Sequence, residues 1–273
     1  MALKEVQHFL TQYIRDSRFR ETVAGSGIAS VAAHYNLNGD DQKLLEEMEL
    51  SYVAREAEGV LVERLEKREG EFREFFDHLA NYTSIEHFFR LYDQAYSKGL
   101  MTRPVEMDCF LSFATGFVVE NQLPPYLVDL ARFNYHYTQI SITPIENGEA
   151  GGLRPDEELR LYHLVQLKSP YRIVNFRYDI PGILRSEFDF NNPLYFQEAP
   201  ISLFIQKDWD KPTTTQIHYA GDVPLLNELT RGETSVNELL ACYGVQQYGQ
   251  VLNMLSSLYQ RNIISVKLPK HFL

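Results

Sequence analysis

Ile201-Ser202-Leu203-Phe204-Ile205, a polar break at Lys207-Asp208-Trp209-Asp210-Lys211-Pro212, and then Thr213-Thr214-Thr215-Gln216-Ile217-His218-Tyr219 decide the fold class of this chain. β-Branched and aromatic residues on both sides of a Pro-containing polar turn predict a β-hairpin. Three helical patterns follow. The first runs from Pro224 to Leu229 and stops at Arg231-Gly232, and the second starts on Thr234-Ser235-Val236-Asn237-Glu238, a capping residue followed by an acid. The third places Tyr248, Val251, Leu252, Leu255, Leu258 and Tyr259 on one face at helical spacing. Ile263-Ile264-Ser265-Val266 closes the stretch as a further strand. A hairpin with three helices between Pro200 and Leu268 predicts a winged-helix-like module, and the chain as a whole reads as α+β with a mostly helical first half.

Outward from this stretch, Tyr171 to Tyr178 alternates as a strand, Pro181 to Arg185 forms a turn or short helix, and Leu159 to Gln166 is ambiguous. Residues 144–158 carry Asn147-Gly148, Gly151-Gly152 and Pro155, which mark an interdomain linker. Before it the pattern is helical. Val6, Phe9, Leu10, Tyr13 and Ile14 form one stripe, ended by Gly25-Ser26-Gly27, and Asp40 or Asp41 can cap the helix of Leu44, Leu45 and Met48. The span from Asp40 to Glu74 holds 12 acidic and 6 basic residues on an amphipathic pattern. It reads as a solvated helix or two, with an acidic docking face as the alternative. Pro104 suits a first helical turn, and Asn121-Gln122-Leu123-Pro124-Pro125 separates two further helices. Three parts result: a small helical unit at 1–48, a helical docking domain at 49–143, and a strand with the winged-helix-like module at 159–273.

The formal net charge of -11 over 273 residues argues against nucleic acid, which needs a basic footprint. The pattern contains no 20-residue apolar span, and the N-terminus lacks the apolar core of a signal peptide, so no membrane and a cytoplasmic location are expected. Cys109 and Cys242 give neither a disulfide framework nor a CxxC pair, and Cys242 is expected in the core. His78, His87, His136 and His163 show no HxxxH spacing, and no phosphate-loop or nucleophile-elbow motif occurs. No cofactor or metal is therefore expected in this chain, and no catalytic residue is assigned.

The hairpin's second strand is the candidate binding element. Thr213, Thr215, Ile217 and Tyr219 alternate onto one face, with Gln216 and His218 between them. Such an edge can accept an extended peptide through backbone hydrogen bonds. Gln247, Tyr248, Val251 and Leu255 of the last helix are expected to line the pockets that select its side chains. The alternative is that the protein's own chain covers this edge. A second alternative is a DNA-binding regulator with an acidic helical sensor, although Gln246 to Gln260 contains no Lys or Arg for base edges or phosphates. A third, a stand-alone metalloenzyme, would need tightly bound metal in this chain.

Leu225-Leu226-Asn227-Glu228-Leu229, Gly232 to Leu240 and the helix ending Gln260-Arg261-Asn262-Ile263-Ile264, all following the hairpin, resemble a peptide-recognition element. This element occurs in the maturation machinery of ribosomally made natural products and is similar to the pyrroloquinoline-quinone biosynthesis chaperone. Phe72, Phe75-Phe76 and Phe88, with Leu123-Pro124-Pro125-Tyr126-Leu127-Val128-Asp129-Leu130-Ala131-Arg132-Phe133, resemble the helical domain of proteins that accompany multinuclear non-haem iron-dependent oxidases. Asn134-Tyr135 stands where that family has an acidic residue followed by an aromatic one. The run Ala33-His34-Tyr35-Asn36-Leu37 and its surroundings resemble the small helical subunit of extradiol ring-cleaving dioxygenases, which caps a partner's active site. That extra unit points within the family to the partner subunit of the thiaglutamate pathway. The resemblance implies a non-catalytic heterodimer partner that binds a precursor (leader) peptide. It implies too that the iron belongs to the partner oxidase.

Overall fold

The structure is a computed structural model that describes residues 3–96, 102–145, 158–189, 191–222 and 225–269. It divides into two compact units, Met1–Asn134 and Tyr135–Leu273.

The first unit is helical, with α1 Leu3–Arg15, α2 Ser17–Ser26, α3 Gly39–Glu47, α4 Leu50–Glu71, α5 Arg73–Leu79, α6 Ile85–Tyr96 and α7 Arg103–Glu120. α8 Tyr126–Ile142 begins in it. The expected first helix is in fact two. The Asp16 carboxylate accepts from the backbone N–H of Arg18 and Phe19 at 3.0 and 3.1 Å, which starts α2 afresh. Gly27 then ends α2 at φ +78, a left-handed conformation that favours glycine. Ile28 to Tyr35 forms two 3₁₀ turns in place of a regular helix. Asn38, two residues before the expected Asp40, caps α3, and Asp41 returns the bond as a capping box.

Two apolar clusters hold this unit. Phe9, Tyr13, Val23, Tyr35 and Leu45 pack around α1. Further along the chain, Phe72, Phe75, Phe76, Phe88 and Phe110 are fully buried, with Phe76 and Phe88 edge-to-face at 5.3 Å. Arg68 of α4 is 1% exposed and pairs with Glu71 and, at 3.9 Å, with Glu106 of α7. Arg103 Nε donates to Glu71 at 2.9 Å. Asn134 accepts from the Phe75 N–H at 3.0 Å and donates to Glu74, so it joins α8 to the start of α5. The residues of the Leu-Pro-Pro-Tyr run that carry the resemblance serve the core: Tyr126, Leu127, Leu130 and Ala131 are fully buried.

The second unit contains two three-stranded antiparallel sheets, and the fold is α+β. β1 Leu164–Leu167 lies between β5 Thr234–Ser235 and β6 Ile264–Lys267. β3 Ile201–Lys207 lies between β2 Tyr171–Phe176 and β4 Thr215–Tyr219. The helices are α9 Ile180–Arg185, α10 Leu226–Leu229, α11 Val236–Ala241 and α12 Tyr248–Gln260. The expected hairpin is β3–β4, in register Ile205 to Ile217. The expected closing strand, β6, pairs with β1 and not with the hairpin. The reason is apolar: Val165 and Leu167 of β1 and Ile264 and Val266 of β6 are buried in one cluster with Leu239, Val251, Leu255 and Leu258. Most of the expected linker, residues 146–157, and Pro224 lie outside the described residues.

Two buried polar side chains fix this unit. Gln206 is 1% exposed, and its Nε2 reaches the carbonyls of Lys168 (3.2 Å), Asn262 (3.4 Å) and Ile263 (3.4 Å), which ties the β3 sheet to the segments flanking β1 and β6. Lys207 Nζ donates to the Ser141 and Thr143 carbonyls at 2.8 and 2.7 Å, satisfying the open C-terminal end of α8. Cys242, expected in the core, is exposed, because α11 ends at Ala241 and turns it outward. Among the described residues no helix is long and apolar enough to cross a membrane.

Candidate functional site

β4 is an edge strand, and the turn before it decides where it begins. The Asp208 carboxylate accepts from the N–H of Asp210 and Lys211 and from the Thr214 hydroxyl. The Thr214 N–H donates to the Lys211 carbonyl at 2.8 Å. Burial opposes ionisation of Asp208, but hydrogen bonds from Gln216, the two backbone amides and Thr214 hold its carboxyl below the usual range. This closed loop consumes Thr213. The ladder starts at Lys207 opposite Thr215, so Thr213 is an exposed turn residue and not part of the strand.

The register distributes the rest. Opposite residues of an antiparallel pair share a face, so Thr215, Ile217 and Tyr219 lie with Lys207, Ile205 and Leu203. Gln216 and His218 lie on the other face with Gln206 and Phe204. None of the five β4 residues is buried, and Ile217 is 36% exposed. Tyr219 donates to Asp179 Oδ1 at 2.8 Å and accepts from Arg185 at 3.2 Å. Burial, and then the bond to Asp179, push its phenol pKa up. His218 Nδ1 meets Arg261 Nη2 at 2.9 Å; because the guanidinium only donates, Nδ1 accepts and the ring proton sits on Nε2, facing Gln216 Oε1 at 3.4 Å.

The last helix does not supply the expected pockets. Val251 and Leu255 are 2% and 0% exposed and belong to the core shared with β1 and β6. Tyr248 packs partly buried against the same core, and Gln247 is exposed in a 3₁₀ turn at the start of α12. Arg261, at the opposite end of that helix, is what reaches β4. Gln247 lies 14 positions earlier, about 20 Å along a helix axis. The structure thus brings together Thr215, Gln216, Ile217, His218 and Tyr219 with Asp179, Arg185 and Arg261. Sequence reasoning missed the last three. Only Arg261 had a signal, as the basic residue ending an otherwise uncharged helix.

Edges differ in how they are defended against pairing with another strand, and charged residues and very short strands are the usual devices. β2 carries Arg172, β6 carries Lys267 paired with Glu233, and β5 is two residues long. β4 has neither Lys, Arg, acid nor Pro within its span, and among the described residues no strand pairs with its outer side. Its five residues direct about four to six backbone N–H and C=O groups outward, each worth roughly 0.5–1.5 kcal/mol net when paired.

Among the described residues no group of three or more His, Cys, Asp and Glu is placed to hold a metal ion. No family model and no curated protein matches this chain.

Proposed function

We propose that this chain is a non-catalytic partner subunit that binds a precursor (leader) peptide by strand addition to β4. It would present the peptide to an iron-dependent peptide-modifying oxidase, which holds the iron, and the pair would work as a cytoplasmic heterodimer. On this reading the β2–β3–β4 sheet with α10, α11 and α12 is a winged-helix-like peptide-recognition module. The observation that carries the proposal is the undefended β4 edge. The helical first unit, with its resemblance to oxidase partner proteins, is the part assigned to docking.

The test is retention on the immobilised chain of labelled precursor-type peptides, including extended Thr/Val-rich segments. Outward-pointing amides alternate along a strand, so one of Gln216 and Ile217 presents its N–H to an incoming peptide. Gln216→Pro and Ile217→Pro are compared, with circular dichroism confirming the fold. The folded variant that blocks the outward amide is expected to lose the peptide. No retention by the native chain, or equal retention by both folded variants, would end the proposal.

A further inference from the structure

Arg261 is an exposed cation on a strongly acidic chain, yet it forms no ion pair among the described residues. Its guanidinium is spent on a neutral acceptor, His218 Nδ1, on the face of β4 shared with Gln216. Arg185 stands at the other face in a different position. It donates to the Tyr219 hydroxyl, which in turn donates to the Asp179 carboxylate, so its charge is already partly answered. The end of β4 therefore offers one uncompensated guanidinium, with four of its five N–H donors remaining beyond the single contact to His218.

We infer that the segment added to β4 is acidic, with a carboxylate opposite His218 that Arg261 takes. This rests on the strand-addition reading and names the class of peptide it requires. Side chains of directly opposite residues on one face lie about 5 Å apart at Cβ, which puts a Glu or Asp at that register within reach of the guanidinium. A planar fork matches a carboxylate with two parallel N–H···O bonds, which a lysine cannot reproduce. A next residue of the peptide would point to the opposite face, toward the weaker Arg185 position. The acidic side chain therefore sets register as well as affinity.

The experiment measures fluorescence anisotropy of two labelled ten-residue peptides of alternating Thr and Val. They are identical except for Glu or Gln at the central position. With the full chain, the Glu peptide is expected to bind about fivefold tighter, and the advantage to shrink as salt rises. Arg261→Gln is expected to make the two peptides bind alike, and Arg261→Lys to restore part of the preference. Equal binding of both peptides, lost together in the proline variant that blocks the edge, would overturn the acidic preference and leave strand addition standing. If neither peptide binds, both ideas fall. A preference that survives Arg261→Gln assigns it to other residues and also overturns the inference.

Discussion

The two units both bury polar side chains, but they differ in what they leave open to another chain. The helical unit pairs its buried charges internally: Arg68 sits between Glu71 and Glu106, Arg103 joins the group, and Asn134 bridges two helices. The second unit leaves a row of backbone donors and acceptors on β4 facing out, with unburied side chains on both faces of the strand. Pairing of this kind ties the helices of the first unit to one another. An outward row is satisfied by water and can exchange that water for the backbone of an added strand. On the proposed reading, recognition falls to that open edge of the second unit.

The strongest way to break that contrast is to remove a buried charge. Arg68→Met leaves Glu71 and Glu106 without their shared cation, and a cost of about 3–5 kcal/mol is expected in urea unfolding. Arg68→Met with Glu106→Leu should recover part of it; a single variant that loses under 1 kcal/mol would show the cluster to be solvated. In the second unit, Leu255→Ala should cost about 2–5 kcal/mol by leaving a cavity, because Leu255 is core. A stable Leu255→Ala protein with weakened peptide binding would instead return that residue to a groove. The smallest effect concerns pH. Burial lowers the His78 pKa, and the neighbouring Asp77 opposes this only in part. The unfolded chain, with a value of about 6.5, then takes up the proton before the folded one does. His78 contributes stability that is full above about pH 6.5 and falls as pH drops from there to the folded value. His78→Gln should flatten the decline between pH 7 and 5, and an unchanged slope would place the titration elsewhere.

Much of this was legible locally. The stripe of Val251, Leu255 and Leu258 gives α12, the alternation on either side of Asp208 gives β3 and β4, and Ser235 with Glu238 forms the expected start of α11 as a capping box. Partnership was not legible. β6 pairs with β1, and no local pattern distinguishes that from pairing with the hairpin, because strand pairing is decided by which apolar faces meet across long separations. The same ambiguity misplaced Val251 and Leu255, since an apolar stripe looks alike whether it faces a core or a groove. Thr213 was lost to a different cause. Its β-branched character favours a strand, but the hydrogen bonds of Asp208 close the turn over it. Arg185 and Asp179 gave no signal at all, because they reach Tyr219 from a separate short helix.

The position of β1 has a consequence for the order of folding. It is the middle strand of its sheet, yet both neighbours arrive much later in the chain, β5 after α10 and β6 after α12. It therefore pairs across a far longer stretch of chain than the β2–β3–β4 meander, which is built from neighbouring segments. Long-range closure is the slow step in such topologies.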